Sequence, residues 1–235
     1  MDNGLNCLLE HNDLEKANEE FYIYWEQFKD NKEMIYTKAD LEEHLIEDKL
    51  LFGARREWDC LRAKGPLLLQ EFQEQVMPLI KRVIKIQIEG TIKNDTNDEI
   101  VYKGDFIAEM HNGWIVLFDN KTSSVKFDKD SVKTSEQLAT YFEALKEEYG
   151  LTHAGYIVIP KKTNKKKKPI VNIEVIIDKI DEKTIDKTFE MYQNTLDNIK
   201  EGKFDKNWNN CINKYGRCPY YDFCRSGSKK GLTEK

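Results

Sequence analysis

DFIAEMHNGWIVLFDNK, Asp105 to Lys121, is the stretch on which the reading of this chain turns. Two apolar runs, Ile100 to Met110 and Trp114 to Asp119, flank His111, Asn112 and Gly113, the composition of a β-hairpin turn. The loop length decides which side chains meet. A two-residue Asn-Gly turn pairs Asp105 with Asn120 and sends Asp119 to the opposite face. A three-residue loop with a left-handed Gly113 pairs Met110 with Trp114, and hence Asp105 with Asp119. Asp105, Asp119 and Lys121 then all point to one side. The sequence permits both registers.

Upstream of the hairpin, residues 1–65 read as polar helix, with apolar clusters around Phe21 to Trp25 and Leu41 to Phe52. Gly65 and Pro66 signal a break, and a second helical pattern runs from Leu67 to Ile80, ending near Pro78. Val83 to Gly90 reads as a first strand, followed by the turn-rich NDTNDE. Downstream, Thr134 to Gln137 opens a helix with Leu138, Tyr141, Phe142 and Leu145 on one face and Gly150 as its stop. Strands are expected at Gly155 to Ile159 and Ile170 to Ile177. A long amphipathic helix with Ile185, Phe189, Tyr192, Leu196 and Ile199 then ends at Gly202. This order of elements predicts an α/β (α+β) fold, a central mixed sheet covered by helices on both faces. Three stretches are expected: a helical N-terminal segment at 1–65, a core at 66–202 and a cysteine-rich segment at 203–235, together one compact domain.

The 235 residues carry a net charge of −5, so any nucleic-acid surface must be a local one. No apolar run reaches the roughly 20 residues that span a bilayer, and the first residues lack a signal-peptide pattern. A cytoplasmic protein is expected. Neither a P-loop nor a Rossmann fingerprint is present, so any ATP-driven motor would belong to a partner.

Two carboxylates side by side on adjacent strands repel one another near a core, and a divalent cation removes the conflict. Mg²⁺ is held by one or two carboxylates, with water and phosphate oxygens completing its shell. A lysine two residues beyond Asp119 lies where it can orient a water and offset charge on a phosphorane-like transition state. Taken alone, Asp-x-Lys is a very weak motif and reads first as a strand end meeting solvent.

The combination is more specific. Asp105 in VYKGDFIAEM, Asp119 and Lys121 in WIVLFDNKTSS, and Gln137 and Tyr141 in SEQLATYFEAL resemble, in this order, the PD-(D/E)XK nucleases of the RecB-like branch. The likeness covers about Gly65 to Cys224 and extends to phage-type and iron–sulfur exonuclease members. It implies a restriction-endonuclease-like core and a Mg²⁺- or Mn²⁺-dependent nuclease, most simply an exonuclease acting on DNA ends or single strands. A role in phage-type replication, recombination or end processing follows, in the host cytoplasm, with a helicase or recombination protein as partner. Asp105 and Asp119 become metal ligands, the Asn120 backbone carbonyl a further one, and Lys121 the catalytic lysine. Gln137 and Tyr141 face the site from their helix. Two departures stand out: Tyr102 replaces a common glycine, and the acid of the first motif is unclear. Glu71 is preferred over Glu74, although either reads equally as a solvated helix glutamate. Gln137 has a rival reading as half of a capping box with Thr134, and Tyr141 as a plain core aromatic. A degenerate, DNA-binding or assembly subunit with a structural metal cluster is the alternative function.

Cys211, Cys218 and Cys224 supply three thiolates in a turn-rich segment, a donor set that selects iron–sulfur or zinc. The fourth ligand is open among Cys60, Cys7 and a histidine. The resemblance favours a [4Fe–4S] cluster closed by an upstream cysteine, for which Cys60 is the candidate, with Zn²⁺ as the alternative. Finally, Lys161, Lys162, Lys165 and Lys166 lie in a basic loop that reads either as a phosphate-binding track on DNA or as a solvated charge run.

Overall fold

The computed structural model describes residues 1–27, 62–94, 96–123, 125–160, 172–203, 211–213, 216–218 and 220–229. Two antiparallel helices open the chain, α1 (Asp2–His11) and α2 (Leu14–Glu26). They are separated by left-handed Asn12 and by Asp13, whose carboxylate caps the second helix at Lys16 N. Helix α3 (62–75) follows. It runs straight through Gly65 and Pro66, so the expected break there is not found and the 65/66 boundary falls inside a helix. The physical reason is packing. A Cβ on Gly65 would overlap the ring of Phe21, so this glycine exists to let α2 and α3 approach.

Five strands form one mixed sheet in the order β1 (Ile80–Lys93), β2 (Glu99–Met110), β3 (Ile115–Ser123), β4 (His153–Pro160) and β5 (Glu174–Asp178). Only the β3–β4 pairing is parallel, with helix α4 (Glu136–Tyr149) as its crossover. The mixed sheet flanked by helices is thus observed as expected. The strands are longer than their apolar runs. In particular β3 continues to Ser123, so Asp119 and Lys121 lie within a strand and not at its end.

The hairpin takes the three-residue loop. Met110 N–H donates to Trp114 O at 2.8 Å, Gly113 N–H donates to Met110 O at 2.9 Å, and Gly113 has φ +86°. Alternation then sorts the two faces. Phe106, Ala108, Val116 and Phe118 share a core with Leu5, Leu8, Phe21, Leu69 and Phe72 of α1–α3. Ile107 and Leu117 turn the other way, onto Leu145 and Tyr141 of α4. Ala154, Tyr156 and Val158 of β4 pack with Leu138 and Ala139 on that same side.

Helix α5 (Glu182–Lys200) lies on α4 and meets the far end of the β1–β2 hairpin. There Asn94 Nδ2 donates to Gln193 Oε1 at 2.8 Å and Lys200 pairs with Asp98 at 2.7 Å. Ile199, expected on the buried face of this helix, is 52% exposed. Beyond it come a two-stranded ribbon, β6 (Ile212–Asn213) with β7 (Gly216–Arg217), and the short helix α6 (Tyr221–Ser226). Among the described residues no helix is long and apolar enough to cross a membrane.

Candidate active site

The β2–β3 ladder ends at Phe106 opposite Phe118. Beyond that point β2 stays paired with β1 alone, and β3 with β4 alone. The two strands therefore fork, and Asp105 and Asp119, the next residues in register, stand at the opening.

The fork has a visible backbone cause. Ile86 packs on the α1–α3 side and Ile88, two residues on, on the α4 side. On β2, a Cβ at Gly104 would face Leu117 and Tyr141 while Phe106 faces the opposite core. Regular strands keep positions i and i+2 on one face, so both strands turn over here. Gln87, between Ile86 and Ile88 and opposite Asp105, takes φ +50°, a left-handed conformation that is uncommon outside glycine.

At the opening, the Asp105 carboxylate replaces the lost ladder bond: Asn120 N–H donates to Asp105 Oδ2 at 2.5 Å. A strand residue points its N–H and C=O to the same side, so the Asn120 carbonyl also faces the fork. Asp119 is 4% exposed. Its Oδ2 lies 2.7 Å from Lys121 Nζ, an ion pair whose geometry falls short of a directed hydrogen bond, and no other described group donates to that oxygen. Helix α4 closes the site from one side. Gln137 Nε2 donates to Asp119 Oδ1 at 3.0 Å and to the Tyr141 hydroxyl at 2.7 Å, while its Oε1 accepts from Lys121 Nζ at 2.7 Å.

Gln137 therefore ties both ends of the Asp-x-Lys element, and the capping-box reading does not hold. Ser135 is the N-cap, accepting from Leu138 N at 3.1 Å, and the Thr134 hydroxyl donates to Asp130 O instead. Tyr141 serves twice, its ring in the core and its hydroxyl in the network.

Electrostatics follow from burial. Desolvation pushes the Asp105 carboxyl up to about 6, opposed by the Asn120 N–H and reinforced by the charges of Asp119 and Asp2. Burial likewise raises Asp119, opposed by the Lys121 ammonium. Two adjacent carboxylates that both resist ionisation constitute a donor set suited to a hard cation. Among the described residues no group of three His, Cys, Asp or Glu side chains is arranged to hold a metal ion. A cation here would rest on two carboxylates, a backbone carbonyl and water.

The Glu71 carboxylate accepts from Gln75 one turn along α3, and it is not among the groups that act most strongly on Asp105 or Asp119. Asp2, in the first turn of α1, is the acid that does contribute at Asp105. Nothing local in the sequence marks it. Cys60, Lys161, Lys162, Lys165 and Lys166 lie outside the described residues.

Cys211 and Cys218 face each other across the β6–β7 ribbon, Cys218 N–H donating to Cys211 O at 2.8 Å. Cys224 follows on α6, whose Tyr221 N–H donates to Cys218 O at 3.0 Å. The backbone thus gathers the three cysteines, although their side chains do not form a three-ligand group. Cys7 is buried in the α1 core.

No family model matches the chain, and no curated protein does. Among solved structures, the chain is similar to the crystal structure of a protein from Eubacterium rectale named as a candidate exonuclease. The two share 13% identity and a TM-score of 0.42, over 93% of this chain and 73% of that one.

Proposed function

We propose that this chain is a metal-dependent deoxyribonuclease that hydrolyses phosphodiester bonds, acting as an exonuclease on DNA ends or single strands. The observation that carries the reading is the forked hairpin, at which Asp105, Asp119, Lys121, Gln137 and Tyr141 form one hydrogen-bonded and charge-coupled cluster. Asp105, Asp119 and the Asn120 carbonyl are the groups that would hold Mg²⁺ or Mn²⁺. When bound, such an ion supplies Lewis-acid polarisation of a phosphoryl oxygen and a more acidic water.

The protein's own groups then have separable tasks. The Lys121 ammonium, partly exposed and anchored by Asp119 and Gln137, presents positive charge where the phosphoryl group gains negative charge. Gln137 holds that ammonium and Asp119 at fixed separation, which removes side-chain freedom before substrate arrives. Tyr141 orients the Gln137 amide through its hydroxyl. A phage-type role in replication, recombination or end processing, with a helicase or recombination partner, rests on the motif resemblance. So does a [4Fe–4S] cluster, or Zn²⁺, on Cys211, Cys218, Cys224 and Cys60.

One observation favours the alternative of a catalytically degenerate DNA-binding subunit: no third acid completes the pair among the described residues. A single experiment separates the two. Labelled linear and nicked-circular DNA are incubated with the purified protein and Mn²⁺. Degradation of the linear form, abolished by EDTA, by Asp119→Ala and by Lys121→Ala, supports the nuclease. Binding without cleavage refutes it.

A further inference from the structure

We infer that Tyr156 is a positioning residue for this site, joining the Lys121 ammonium to the N-terminus of the helix that carries Gln137 and Tyr141. The inference rests on the reading of Asp119 and Lys121 as active-site groups. Tyr156 lies on β4 directly opposite Asp119 in the parallel ladder, and it is 6% exposed. Its ring centroid is 5.7 Å from Lys121 Nζ, within the range where an aromatic face attracts a cation. Its hydroxyl lies 2.5 Å from Ser135 Oγ, and that oxygen is the one that caps α4 by accepting from Leu138 N. Phe127 packs edge-on against the ring at 5.4 Å, and Val132, Leu138 and Ala139 surround it.

The consequence is mechanical. A lysine stem has four rotatable carbons, and its ammonium is useful only where Asp119 and Gln137 both reach it. The ring of Tyr156 supplies a third boundary on the β4 side. Gln137 lies two residues beyond the cap, so whatever fixes Ser135 also fixes the start of the turn from which Gln137 projects. Tyr156 touches both, one with its face and one with its hydroxyl. Neither contact is to substrate, so its effect must pass through Lys121 and Gln137.

The test uses the full-length protein, steady-state cleavage of linear DNA with Mn²⁺, and Mn²⁺ affinity measured by calorimetry. Tyr156→Phe keeps the ring and severs the link to Ser135. It is expected to lower kcat about 3- to 10-fold with KM for DNA and Mn²⁺ affinity unchanged, the worth of one buried hydrogen bond. Tyr156→Met is smaller, loses both the hydroxyl and the aromatic face, and is expected to lower kcat about 10- to 100-fold, again at constant Mn²⁺ affinity. Tyr156→Trp, retaining a cationophilic face, recovers part of that loss. Ser135→Ala cuts the same hydroxyl link from the other side, so Tyr156→Phe and Ser135→Ala together must cost no more in kcat than the larger single change. That pair decides the matter even if the Met variant does not fold. Tyr156→Phe within twofold of wild type in kcat, additive losses in the double variant, or losses confined to KM or metal affinity overturn the inference. Should Asp119→Ala and Lys121→Ala themselves leave cleavage intact, the site reading fails instead, and the two failures are distinct.

Discussion

Replacing Asp105 by asparagine should make the metal-free protein more stable while removing its activity. The Asp105 carboxyl is raised from 3.8 to about 6, chiefly because burial at the fork disfavours its charge. Each tenfold in proton affinity is about 1.4 kcal/mol, so holding this carboxylate ionised costs about 3 kcal/mol as an upper figure. Residual solvent at the partly buried group reduces this to about 1–3 kcal/mol. Asparagine keeps an oxygen for the Asn120 N–H and carries no charge.

The sign follows from the direction of the shift. A carboxyl whose pKa is raised on folding binds its proton more tightly in the native state. Its ionisation therefore subtracts stability progressively as pH rises from the unfolded value towards about 6, and by a constant amount above. Urea unfolding in EDTA at pH 7.5 should show Asp105→Asn about 1–3 kcal/mol more stable than wild type, shrinking to about a third of that at pH 4.5. Adding Mn²⁺ should narrow the gap. Wild type gains about 2.7 kcal/mol at a hundredfold excess over its dissociation constant, and the variant, with one carboxylate left, gains less. A variant that is less stable in EDTA at pH 7.5, or an advantage that grows as pH falls, would show that the fork does not burden Asp105 in the way described.

The remaining expectations are smaller in scope. Gln87→Gly should raise stability by about 0.5–1 kcal/mol in thermal unfolding, since its left-handed φ suits glycine, whereas Gln87→Val should destabilise and weaken Mn²⁺ binding. Unchanged melting in both would mean that the kink is not where strain resides. Glu71→Gln should leave cleavage within twofold of wild type, because Glu71 is engaged on its own helix; a hundredfold loss in kcat would restore it as a site residue. Gly65→Ala should cost more than about 2 kcal/mol by urea unfolding, as the added methyl meets the buried Phe21 ring. A neutral result would contradict the close approach of α2 and α3. Anaerobically purified protein with a cluster on Cys211, Cys218 and Cys224 should be brown and should bleach on substituting any of them, whereas stoichiometric zinc in colourless protein would select the other metal.

Much of this architecture was legible from local pattern. Apolar runs around His111, Asn112 and Gly113 marked the hairpin, and the helix after Lys121 carried Gln137 and Tyr141 one turn apart on one face, because such contacts depend only on residues within a few positions. The order Asp105, Asp119, Lys121, Gln137, Tyr141 was likewise readable as a line of residues. The hairpin register was not: only the left-handed Gly113 and the Met110–Trp114 pairing resolved it. The Gly65–Pro66 signal misled for a related reason, since glycine marks helix ends and close helix contacts alike, and Phe21 lies far away in sequence. Asp2 and Tyr156 went unmarked because each position is set by which elements pack across the sheet. Propensity and alternation act along a few residues of chain. The fork at Asp105, and the tyrosine that a parallel strand brings opposite Asp119, come from packing between segments many residues apart, which no short window of sequence encodes.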